Sequence, residues 1–113
     1  MNKKDAINYI NSKIGASLNN KNTIFSNPGS SLDLWWLEPN NEKFNEGFYF
    51  ILNNTDIKKL MLFQIPKNTI NKSVFRQRKE KGVSQIIIPI SNKEFIDRWG
   101  FNFAPFLQNE ISY

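Results

Sequence analysis

Apolar residues recur at helical spacing near the start of the chain and at strand spacing after residue 31. Ile7, Ile10 and Ile14 fall at i, i+3 and i+7, one face of a 3.6-residue period. With Gly15 as a stop, they predict a helix over residues 3–15. From Ala16 to Ser31 the chain is polar and holds a Pro28-Gly29 turn, which reads as a loop with room for a short strand at Thr23–Phe25. Three strand candidates follow. Leu32–Glu38 is aromatic-rich and ended by Pro39, while Gly47–Asn53 and Ile57–Ile65 flank the turn composition Asn53-Asn54-Thr55-Asp56 and so predict a hairpin. Both arms are apolar on both faces for most of their length, which implies a sheet covered on both sides.

The same patterning predicts a second helix over Thr69–Lys81, with Ile70 and Val74 at i and i+4 and Gly82 closing it. Val83–Ile90 is a compact aliphatic strand whose Pro89 marks an end or an edge. A third helix is expected from Ser91 to Gly100, because Ser91 and Glu94 make an S-x-x-E capping box with Ile90 and Phe95 at staple positions. The tail from Phe101 to Tyr113 is too apolar to float free and is expected to dock on the sheet. The expected architecture is α+β, a mixed α/β sandwich in the order helix-strand-strand-strand-helix-strand-helix. Its four- or five-stranded sheet has the antiparallel hairpin 47–65 at the centre and helices covering it.

Composition then removes chemistries. The 113 residues contain no cysteine and no histidine, so thiol nucleophiles, disulfides, Cys-ligated metal and imidazole catalysis are excluded. There is no glycine-rich phosphate loop and no nucleophile elbow. Any enzyme would have to work with carboxylates, lysines, tyrosines or serines; no catalytic residue, metal site or cofactor is expected, and the reading leans away from an enzyme without closing the question. The longest aliphatic run is Ile86-Ile87-Ile88, far short of the roughly 20 residues that span a bilayer. A single soluble, cytoplasmic domain over 1–113 with no membrane partner is the expectation.

Charge is distributed unevenly. Residues 57–81 hold eight cations against Glu80, a net +7, which leaves −2 for the rest of a chain whose total is +5. On a helix, Lys72, Arg76 and Lys79 would form one stripe flanked by Arg78 and Lys81, with Lys67 just upstream. Such a field suits phosphates, and these six residues are the candidate nucleic-acid contacts. A lysine-rich helix face is also a common way to stay solvated, and it can meet an acidic protein. Residues 33–56 carry the opposite bias, five acids against Lys43. Trp35 and Trp36 are candidate interface aromatics, and as strand neighbours they must point to opposite faces.

The order helix, three strands, helix, strand over residues 3–90 resembles the core of the PD-(D/E)xK nuclease superfamily. That resemblance implies a divalent metal held by an acid near the second strand and an acid-x-lysine triplet on the third. Asp33 and Glu46 lie near the first two strands. On the third, Gln64 stands in the acid's place, Pro66 in the lysine's, and Lys67 comes one position late, so the resemblance implies a degenerate centre. The sequence thus supports a small binding protein that meets nucleic acid or a nucleic-acid-processing protein through the basic segment. The alternative is a protein-directed inhibitor or accessory factor of the counter-defence or immunity kind.

Overall fold

A computed structural model describes residues 1–29, 33–91 and 94–113. The fold is α+β. Helix α1 spans Lys3–Ile14, and strands β1 (Thr23–Ser26) and β2 (Leu34–Leu37) follow. Next come a one-turn helix α2 (Lys43–Glu46) and the long strands β3 (Phe48–Asn54) and β4 (Lys59–Ile65). Beyond them lie β5 (Arg76–Arg78), β6 (Val83–Pro89) and β7 (Leu107–Ser112), with 3-10 turns at Lys72–Val74 and Ala104–Phe106.

Two sheets result. One is mixed, in the order β1-β3-β4-β7, with β1 parallel to β3 and the other pairs antiparallel. The second is antiparallel, in the order β2-β6-β5. The hairpin β3–β4 holds the centre of the four-stranded sheet as its patterning predicts, although Ile57 belongs to the turn and is exposed. The tail docks as β7 along β4.

The central strands bury both faces, for the reason their sequence gives. Phe48, Phe50, Leu52, Met61, Phe63 and Ile65 share one face and pack on Trp35, Leu37, Ile86 and Ile88 of the second sheet. Phe50 and Phe63 are register partners with stacked rings 4.5 Å apart, and Phe103 meets Phe50 edge-on at 5.3 Å. On the opposite face Ile51, Leu60, Leu62 and Ile111 pack on Ala6, Ile7 and Ile10 of α1. A helix therefore covers one face and a second sheet the other, where helices were expected on both. Helix α1 starts on a reciprocal capping box between Asn2 and Asp5 and ends on left-handed Gly15.

The two further predicted helices are not helical. Residues 69–81 form a short 3-10 turn and then the strand β5, so no helix 72–81 exists. Asn71 caps the turn by accepting from Ser73 N–H, which is the local bonding that Asn and Ser offer in place of a helix. Beyond the turn, Phe75 and Gln77 point inward while Arg76 and Arg78 point outward, a period of two. Gln77 is locked by Asn41, Ser84 and the Lys72 carbonyl. Lys79–Gly82 is the turn of a β5–β6 hairpin, with Gly82 at φ +63°.

The capping box at Ser91–Glu94 falls partly outside the described residues, and residues 94–100 form a loop. Phe95 is left-handed (φ +56°) and sends its ring to Trp35 and Phe63. The carboxylate of Asp97 accepts from Ile87 N–H and Trp99 N–H at 2.9 and 2.8 Å.

Candidate nucleic-acid interface

Along β6, Gln85 and Ile87 face away from the core between the flanking elements. Register sets Trp36 of β2 opposite Ile87 and Arg76 of β5 opposite Gln85, so Trp36 and Arg76 share that outer face. Strand β5 ends beside Val83–Gln85, and further along the same edge Arg98 N–H donates to the Ile87 carbonyl at 2.7 Å. The loop thus replaces β5 along the upper half of the edge, and it brings two residues with it. Arg98 lies across Ile87 from Trp36, and Trp99 donates its indole N–H to the Gln85 carbonyl at 3.1 Å. A cleft of about 390 Å³ opens on this surface, lined by Trp36, Arg76, Arg78, Gln85, Ile87 and Arg98.

Exposure separates the aromatics. Trp36 is 46% and Trp99 41% exposed, while Trp35 is 2% exposed and gives its indole N–H to the Asn53 carbonyl inside the core. Of the two candidate interface tryptophans, only Trp36 reaches the surface. Trp35 is a core residue, and the opposite orientation follows from strand alternation.

The cations divide as well. Arg78 donates to Glu38 at 2.9 Å and lies 3.3 Å from Glu80. The hydrogen bond from Arg78 holds the Glu38 carboxyl below the usual carboxylate range, and Arg78 is raised by the same partner. Arg76 and Arg98 are exposed and enter no ion pair among the described residues. The face therefore presents two exposed arginines outside any ion pair beside an exposed indole, Arg98 with its charge felt by the buried Asp97 next to it, and Arg78 neutralised between two acids.

The other sequence candidates scatter. Lys72, Arg76 and Lys79 form no common stripe, because the helix that would have aligned them is absent. Lys79 and Lys81 lie in the β5–β6 turn and Lys72 in the 3-10 turn. Lys67 lies near Gly47, where φ is +81° and a Cβ would stand 3.0 Å from Lys67 N, so a side chain would be strained and crowded there. Glu46, Gln64 and Lys67 line one small pocket of about 210 Å³, and Asp33 is not among its walls. The helix that the nuclease resemblance requires between the third and fourth strands is replaced by β5. Among the described residues no three acids are grouped to hold a metal ion, and no helix is long and apolar enough to cross a membrane. No protein-family model matches the chain, and no curated protein or solved structure is significantly similar to it.

Arg98 and Trp99 are absent from the sequence candidates because they were assigned to a helix. The signal for them was Asp97, a short acid that serves the backbone of a loop better than a helix interior.

Proposed function

We propose that this protein is a small non-enzymatic module that binds nucleic acid on the outer face of the three-stranded sheet. The observation that carries the reading is Trp36 with Arg76 and Arg98 on one cleft, both arginines exposed and in no ion pair among the described residues. An exposed aromatic on a sheet offers a stacking surface and unpaired arginines offer phosphate contacts, the two components of sequence-tolerant nucleic-acid binding. The segment 57–81 adds a long-range positive field that favours encounter. This differs from the helical stripe expected from the sequence, since only Arg76 of its three cations lines the cleft.

The test is fluorescence anisotropy with labelled oligonucleotides at rising salt. Binding should weaken with salt, and the double variant Arg76→Glu/Arg98→Glu should abolish it while keeping the wild-type circular dichroism. Absence of binding at low salt would refute the reading. A second reading rests on the same tryptophans, because Trp and Arg dominate protein–protein hot spots. In that case the partner is a protein, and recovery of the same partner from a lysate before and after nuclease treatment would identify it.

A further inference from the structure

We infer that the cleft takes an unpaired strand, one base stacked on Trp36 and its neighbouring phosphates held by Arg76 and Arg98, and that it discriminates against duplex. The inference rests on the nucleic-acid reading above and specifies the form of the ligand. Ile87 fixes the arrangement. Trp36 is its register partner on one side, and the backbone of Arg98 is bonded to its carbonyl on the other. With strands about 4.8 Å apart, indole and guanidinium rise from backbones roughly 10 Å apart across the sheet. Arg76 lies opposite Gln85, two residues further along β6. One stacking surface therefore stands within side-chain reach of two phosphate contacts set on two different elements.

A duplex cannot use this layout. Its base faces are covered by their neighbours in the stack, so an indole lying on a sheet meets only groove edges and backbone. An unpaired base has a free π-face, and every base has one. Acids beside Arg78, of which Glu80 also lines the cleft, sharpen the direction of the strand. Glu38 and Glu80 flank Arg78 and repel phosphate there, so the backbone must run past Arg76 and Arg98 on the opposite side from β2. Arg78 consequently organises the cleft without touching a phosphate.

The experiment compares 20-nucleotide oligo(dT), oligo(U) and the dT·dA duplex of equal length, by anisotropy and by quenching of tryptophan emission. The single strands should bind at least about 10-fold tighter than the duplex, with a log–log salt slope of roughly −1.4 for two phosphates. Trp36→Ala should weaken single-strand binding roughly 5- to 150-fold, and Trp36→Phe should restore most of it by keeping a stacking ring. Arg76→Gln and Arg98→Gln should each remove about 0.7 from the slope, while Arg78→Gln leaves it unchanged. Tighter binding of either single strand than of the duplex supports the site. Equal affinity for duplex and single strands, with the Trp36→Ala variant unaffected, would overturn this inference and leave phosphate binding by the face intact. Failure of all three probes to bind would overturn both.

Discussion

Asp97→Ala tests the link between the core and the interface, because this carboxylate holds the loop that carries Arg98 and Trp99. Asp97 is buried and accepts two backbone N–H groups, from Ile87 at 2.9 Å and Trp99 at 2.8 Å. Removing it leaves both donors without acceptors, at about 1–3 kcal/mol each. Part of that loss is offset, since burial pushes the Asp97 carboxyl up from its ordinary 3.8 and marks the charge as costly to hold. The net expectation is a destabilisation of about 2–4 kcal/mol, or a melting point lower by roughly 8–16 °C in a chain of this size. Urea and thermal melts followed by tryptophan emission measure it, and hydrogen exchange at the Ile87 amide locates it. Affinity at the proposed single-strand site should fall as well, because the loop that carries Arg98 would lose the Asp97 bond tying it to β6. A variant that melts with the wild type and protects Ile87 equally would show that the loop is held without Asp97, by Phe95 packing and by the bonds from Arg98 N–H and the Trp99 indole to β6.

Two further outcomes test the core and the ion pair. Phe50→Ala should cost about 3–5 kcal/mol in a denaturant melt, since the ring is fully buried between Phe63 and Phe103; a loss below 1 kcal/mol would contradict the packing of the two sheets. Glu38 is held below its ordinary 4.5 by Arg78, so its contribution is present above pH 4.5 and is lost as pH falls through the lowered value. Asp97 has the opposite sign: its folded value is raised, so stability declines as pH rises above 3.8 through that value. The pH–stability curve of Glu38→Gln should accordingly show a shallower acid-side fall, because Glu80 is also held low and remains, and should retain the Asp97 slope.

The central hairpin was legible because burial wrote it twice. Residues of β3 and β4 are apolar at both parities, which two-sided cover requires and a helix of this length would not arrange between turn residues. Helix α1 was equally readable from three isoleucines and a glycine stop. Nothing in the pattern told which element would cover each face, since a helix and a second sheet both present an apolar stripe. Ile70 and Val74 show the ambiguity. They match helical spacing, yet Ile70 is buried and Val74 exposed, and the true inward neighbours are Phe75 and Gln77. A polar Gln77 satisfied by Asn41 and Ser84 has no apolar signature, so the period of two in β5 was hidden.

The interface was only half legible, and the reason is topological. Trp36 and Arg76 are 40 positions apart, and Arg98 another 22. They meet because β6 runs between the first two and Asp97 folds the loop onto its free edge. Local charge density pointed to residues 72–81, where cations are close in sequence, but closeness in sequence does not place side chains on one surface once a helix gives way to a turn and a hairpin. The cleft instead draws two cations from β5, one of them paired, a third from the loop and its indole from β2. Pairing separates these cations more than number does, because Glu38 and Glu80 neutralise Arg78 while Arg76 and Arg98 enter no ion pair among the described residues. A net charge taken over the segment counts Arg78 with the others, whereas the proposed phosphate contacts fall on the arginines that stand outside ion pairs among the described residues.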